Sequence, residues 1–119
     1  MELIDITPLL NLTELDATIE FYTTYLEFTC VSYNKEVGWA NLTHGKMSIM
    51  FSKPNAHIPF TKPTFTGSFY FNVNDVDKMW ERLKDKVKVC YPIEDFEYGM
   101  REFAIYDNNG YLLQFGKEI

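Results

Sequence analysis

The chain states its plan twice. Residues 39–53 (WANLTHGKMSIMFSK) lie without a gap over residues 103–117 (FAIYDNNGYLLQFGK), with Ala40/Ala104, Phe51/Phe115 and Lys53/Lys117 identical. Residues 12–20 (LTELDATIE) lie over residues 73–81 (VNDVDKMWE), with Asp16/Asp77 and Glu20/Glu81 identical. Each identity is weak alone. The two segments recur in the same order within each half, and that argues for two copies of one supersecondary unit. At 119 residues the pair makes one domain of ordinary size.

Periodicity gives each copy the order strand, helix, strand, strand, strand. In the first half, alternation and β-formers predict strands over residues 6–12, 28–33, 37–42 and 47–51. Thr13 is expected to cap a helix, with Asp16 three residues on as a short capping-box partner. Leu15, Ile19, Tyr22 and Leu26 then fall on one helical face. His44, Gly45 and Lys46 read as the turn before the last strand. In the second half a strand over 68–73 leads to Asn74 or Asp75 as helix cap, with Val76, Met79, Trp80 and Leu83 as the apolar face. A strand over 87–91 is expected to end at Pro92. Residues 100–106 and 111–115 read as a hairpin around Asp107-Asn108-Asn109-Gly110. Pro54, Pro59 and Pro63 make the intervening stretch extended. The expected division is module one at about residues 4–53, a linker at about 54–66 and module two at about 67–119, within a single domain of the α+β class.

Composition narrows the function classes. With 46% apolar and 17% aromatic residues the chain can bury a core without metal or disulfide staples. Seventeen acidic against eleven basic residues, a formal charge of -6, argue against a nucleic-acid surface and permit a cationic ligand. No apolar run approaches the ~18 residues of a membrane span. Residues 1–7 carry neither a basic flank nor a cleavage site, so no signal peptide is expected. Cys30 and Cys90 sit in apolar strand-like runs and read as buried free thiols of a cytoplasmic protein.

Several motifs resemble one superfamily along nearly the whole chain. Ile19-Glu20-Phe21-Tyr22 followed by Tyr25-Leu26-Glu27-Phe28 is similar to its helix-to-strand "FY…LGF", with Glu27 where Gly is usual. Phe71-Asn72-Val73-Asn74-Asp75-Val76-Asp77 is similar to "F-x-V-x-D-V-D". Tyr98 to Phe103 and Asp107 to Gly116 are similar to "YGMREF…DPDGN…FG", with Asn108 in place of the proline. The chain thus resembles the vicinal oxygen chelate superfamily, which includes glyoxalase I, extradiol dioxygenases, fosfomycin-resistance enzymes and bleomycin-resistance proteins. The resemblance implies two βαβββ modules with curved mixed sheets forming concave clefts and helices on the outer faces. It also implies a homodimer, with modules of two chains completing shared clefts.

Enzymes of that superfamily usually hold a divalent metal through His, Glu or Gln on the first and last strand of each module. The matching positions here are Thr7, Met50, Ser68 and Gln114. Two hydroxyls, a soft thioether and one amide make a poor donor set for a divalent ion. His44 and His57 read as exposed loop residues. No metal and no other cofactor is expected. Glu102, taken as an exposed carboxylate, is the general-base candidate for a metal-free enzyme.

Strand alternation sorts the side chains. Leu10, Leu12, Phe69, Phe71, Val73, Ile49, Phe51, Leu113 and Phe115 fall on the helix side. Thr7, Leu9, Asn11, Ser48, Met50, Ser68, Tyr70, Asn72, Leu112 and Gln114 fall on the concave side. Trp39 and Phe103 are open: a two-residue turn puts them on the concave face, and a bulged turn reverses this. Glu94, Asp95, Glu97 and Glu102 surround Phe96 and Tyr98, as either a solvated loop or an acidic aromatic rim for a cationic, planar ligand. Trp39, Met50, Ser68, Tyr70, Asn72, Glu102, Phe103 and Gln114 are accordingly the expected ligand-binding residues, with no catalytic residue among them. The expected function is metal-independent binding of an organic ligand, cationic or aromatic, as in bleomycin resistance. A glyoxalase- or dioxygenase-like metalloenzyme with atypical ligands, or a domain that only dimerises, are the alternatives.

Overall fold

The first sheet is built outward from its last strand. In the computed structural model, which describes residues 1–57 and 59–119, β1 (Leu9–Asn11) pairs in parallel with β4 (Met47–Ser52). β4 is hairpinned to β3 (Trp39–His44), and β3 pairs antiparallel with β2 (Thr29–Asn34). The order is β1-β4-β3-β2. The second half repeats it with β5 (Phe69–Asn72), β8 (Leu112–Glu118), β7 (Met100–Tyr106) and β6 (Lys88–Phe96), in the order β5-β8-β7-β6. Helices α1 (Leu15–Tyr25) and α2 (Val76–Leu83) follow the first strand of each half and pack on their own sheets. The fold is α+β with two equivalent βαβββ halves and mixed, open sheets. The chain divides into Met1–Lys62 and Pro63–Ile119, within the stretch where the prolines predict a linker. Of that linker, residue 58 lies outside the described residues.

Each core lies between a helix and its sheet. Tyr22 and Leu26 meet Ala40, Leu42, Ile49 and Phe51 in one, all essentially inaccessible to solvent. In the other, Val76 and Leu83 are buried along with Phe103, Ile105, Leu113 and Phe115. Trp80 sits 5.2 Å from the Phe103 ring, and Phe103 and Phe71 each stack on Phe115 at 5.3 and 5.1 Å. Burying side chains of this size is worth roughly 1.5–3 kcal/mol apiece.

Several local expectations are corrected. Glu14, not Thr13, caps α1: its carboxylate accepts from the Asp16 and Ala17 backbone N–H groups. The buried stripe of α1 is Thr18, Phe21 and Tyr22, with Leu15 and Ile19 only half-buried, because the helix leans over β2 and β3. Thr18 tolerates burial by donating its hydroxyl to Glu14 O at 2.7 Å. β1 begins at Leu9 rather than residue 6, since Pro8 lacks the N–H that a ladder needs. Pro92 does not end β6, which runs on to Phe96. β6 is an edge strand, and its pairing is irregular on both sides of Tyr91, so a missing donor is tolerated there. Cys30 is half-buried and Cys90 exposed, because both lie on edge strands; both are free thiols. Asp75 is the cap of α2, accepting from Lys78 N at 3.1 Å.

Among the described residues, no helix is long and apolar enough to cross a membrane.

Candidate ligand-binding face

The two hairpins differ by one residue. In module one His44 pairs with Met47 across Gly45 and Lys46, so Trp39 pairs with Ser52. In module two Asp107 N donates to Tyr111 O across the three residues Asn108, Asn109 and Gly110, and Glu102 pairs with Gly116. Asp107 holds this longer turn by accepting from the N–H groups of Asn109, Gly110 and Tyr111, and Gly110 supplies a φ of 102°. A one-residue slip exchanges the two faces of a strand. Both alternatives for the turn therefore occur, one in each half. Trp39 stays on the face away from α1, half-buried opposite Ser52. Phe103, its match in the sequence, is turned into the core against Trp80 and is fully buried. Phe103 is removed from the candidate site, and Glu102 takes the position that Trp39 holds in module one.

Glu102 is the centre of the module-two face. It was expected to be exposed, but it is fully buried, because Tyr70 of β5 and Tyr91 of β6 close over it. Tyr70 donates its phenolic hydrogen to Glu102 Oε1 at 2.8 Å, and Tyr91 donates to Oε2. Gln114 Nε2 donates to the Tyr91 hydroxyl at 2.9 Å, and Ser68 donates to Gln114 Oε1. Ser68, Gln114, Tyr91, Glu102 and Tyr70 thus form one connected hydrogen-bonded chain across the sheet. The Tyr98 hydroxyl also interacts with Glu102. Such a connected network is the arrangement in which burying polar groups is tolerable.

The electrostatics follow. Burial first, then the bond to Glu102, raises the Tyr70 phenol well above its ordinary range. Burial raises Tyr91 as well; the Gln114 bond draws it back in part, and Glu102 pushes it up again. Tyr98 is pushed up to about 12 by desolvation, then by Glu102, with the charge of Glu94 adding to it. The three phenols stay protonated and act as donors.

Glu94 faces Glu102 directly across β6 and β7, and Phe96 is two residues further on the same side. Phe96 stacks on Tyr98 at 5.4 Å and meets Tyr91 edge-on at 5.6 Å. Of the acidic stretch, Asp95 turns to the opposite side and binds Arg101, which also grips Asp77 of α2. The stretch is therefore two strands and a tight turn, not a loop. Tyr91 escapes a sequence reading that stops β6 at Pro92, and that reading leaves Glu94 and Phe96 in a loop or rim rather than on a strand. The signal that extends it is Gly99, whose φ of 86° and N–H bond to Phe96 O close the β6–β7 hairpin.

Asn72 lies on the same face, paired with Gly116, and is exposed. In module one the corresponding face carries Leu9, Asn11, Trp39, Asn41, Ser48 and Met50; Ser48 donates to Asn41 Oδ1 at 2.7 Å. His44 is exposed and meets the Glu27 carbonyl at 3.1 Å through Nδ1.

The positions that resemble metal-ligand sites do not make a donor set. Thr7 precedes β1, Met50 offers a thioether, and Ser68 and Gln114 are bonded to one another. Among the described residues no group of three His, Cys, Asp or Glu side chains converges. The residues present do not fit a divalent ion of the superfamily's kind.

Paired βαβββ halves, each with a polar and aromatic face opposite its helix, define the fold class. Residues 6–115 match the model of the Glyoxalase/Bleomycin resistance protein/Dioxygenase superfamily, and the chain belongs to that superfamily. Solved structures share its fold at low identity. A bleomycin-binding protein from Streptomyces verticillus, complexed with copper(II)-bleomycin, is 21% identical with a TM-score of 0.72, covering 97% of this chain and 96% of its own. A lactoylglutathione lyase from Agrobacterium tumefaciens is 20% identical with a TM-score of 0.76, covering 96% and 92%. A protein of unknown function from Agrobacterium tumefaciens str. C58 is 15% identical with a TM-score of 0.82, covering 100% and 97%. Curated proteins gave no match.

Proposed function

We propose that this chain is a metal-independent small-molecule-binding protein of the bleomycin-resistance type, which sequesters an organic ligand on the face that holds Glu102. The observation that carries the reading is the substitution of a metal donor set by a hydrogen-bonded one. Gln114 and Ser68, where the superfamily's ligands are expected, are tied through Tyr91 to a buried carboxylate. Such a face keeps oriented polar groups and aromatic walls, which is what a ligand pocket needs. Ser68, Tyr70, Asn72, Glu102 and Gln114 are the proposed contacts on that face, with Tyr91 added; Trp39 and Met50 are proposed as contacts on the corresponding face of module one. The protein acts as a homodimer, as its superfamily resemblance implies, and light scattering of purified protein tests that part.

The competing reading is a glyoxalase-like lyase, favoured by the lyase neighbour and by Glu102 as a base. Against it, each Glu102 oxygen already accepts a phenolic hydrogen, which competes with a substrate proton. One experiment separates them. Protein purified without chelators is analysed for metals, assayed for lactoylglutathione formation, and screened by thermal shift against bleomycin, with and without copper(II), and against neutral aromatic metabolites. A binding protein gives no stoichiometric metal, no turnover and a ligand-dependent rise in melting temperature. About one divalent ion per chain with turnover would establish the lyase instead.

A further inference from the structure

The module-two face has a charge pattern that singles out a ligand class. Two carboxylates, Glu94 and Glu102, stand directly opposite each other on adjacent strands. Like charges in that relation destabilise a sheet. Arg101, the neighbouring cation, points to the other side, where it is engaged by Asp77 and Asp95. Around the carboxylates stand four aromatic rings: Tyr70 and Tyr98, which are exposed, and Tyr91 and Phe96, which are half-buried. Phe96 and Tyr98 lie nearly parallel, at 11°, stacked on one another.

Resting on the binding function proposed above, we propose that this face selects an organic ammonium cation, held over the Tyr70, Phe96 and Tyr98 rings and neutralising Glu94 and Glu102. The charge of Glu102 is delivered indirectly. Its oxygens are bonded to phenols, so the phenolic oxygens become richer in electron density and the tyrosine rings better partners for a cation. A quaternary ammonium group, which has no N–H to offer, suits such a surface: it needs ring faces and a nearby negative charge, not a free acceptor. Metal cations do not suit it, since the carboxylate oxygens that they would need are taken by Tyr70 and Tyr91.

The test compares choline with 3,3-dimethylbutan-1-ol, which share shape and differ in charge, by amide chemical-shift titration of the whole protein. Choline should move the signals of Tyr91, Phe96, Glu102 and Gly99 saturably and bind at least about tenfold more tightly than the neutral alcohol. Glu94→Gln, at an exposed position that leaves the Tyr70–Glu102–Tyr91 network intact, should reduce that preference. Glu102→Gln should abolish it while the fold, read from the remaining shifts, persists. Equal binding of the two probes, binding of neither, or a preference unchanged in both variants overturns the inference. Those outcomes leave the broader reading to its own screen: a neutral aromatic ligand that stabilises the protein would sustain sequestration while excluding ammonium selectivity.

Discussion

The phenol of Tyr70 lies across Gly116. These residues are diagonal neighbours, two residues apart in register on paired strands, with Tyr70 opposite Gln114 and Gly116 opposite Asn72. A Cβ at Gly116 would collide with the Tyr70 hydroxyl and come within 2.7 Å of its ring. The missing side chain is what lets Tyr70 fold over the sheet and reach Glu102. Gly116→Ala should therefore swing Tyr70 away and uncover Glu102, at a cost of about 1 kcal/mol for the lost bond. A crystal structure of the variant showing Tyr70 still bonded to Glu102 would refute this.

Glu27, two residues past the end of α1, has a φ of 59°, a left-handed conformation that a side chain resists. The superfamily pattern has Gly at this place. Glu27→Gly should stabilise the protein by about 1 kcal/mol, the usual cost of the left-handed region less the extra entropy of glycine in the unfolded chain. Urea unfolding should show a higher midpoint with an unchanged slope.

The raised phenols make stability fall on the alkaline side. A tyrosine whose folded pKa exceeds its unfolded value contributes stability that is complete below the unfolded value and declines as pH rises toward the folded one. For Tyr98 that window runs from the ordinary 10.0 to about 12. Tyr70 and Tyr91, shifted in the same direction, extend the loss to still higher pH. Phenolate absorbance followed against pH should show late-titrating tyrosines, and in Glu102→Gln they should titrate earlier. A profile in which all tyrosines ionise near the ordinary value would rule the network out.

Trp39 and Phe103 should respond oppositely to truncation, although the repeat aligns them. Phe103→Ala removes a fully buried ring between Trp80 and Phe115 and should cost about 3–5 kcal/mol. Trp39→Ala removes a half-buried side chain from the face away from α1 and should cost clearly less, acting on ligand affinity instead. Comparable losses of stability in both would contradict the register.

The sequence carried the architecture because that is written in local periodicity. The repeat, the alternation along β5 and β8, and the apolar helix faces place Tyr70, Asn72 and Gln114 correctly on the side away from α2. The register of β7 was not legible, since one residue in a turn decides it, and both turn lengths suit the residues present. Glu102 was misjudged for a related reason. Its burial depends on Tyr91, on a strand that continues past a proline because an edge forgives the missing donor. Edge position is a tertiary fact that no window of sequence contains.

The extra residue in the module-two turn also bears on how twin halves grow apart after a duplication. Changing a pocket by point substitution alters one side chain at a time, and each step must be tolerated. Lengthening a turn by one residue rolls a whole strand over, trading its interior set for its exterior set at a stroke. The new interior must then already be greasy, as Phe103 and Ile105 are. The reverse edit, deleting one residue between Asp107 and Tyr111, would drive Glu102 toward Trp80 and expel Phe103. Three residues on a surface hairpin, where indels are ordinarily harmless, thus decide whether a charged group or an aromatic ring fills the centre of the module.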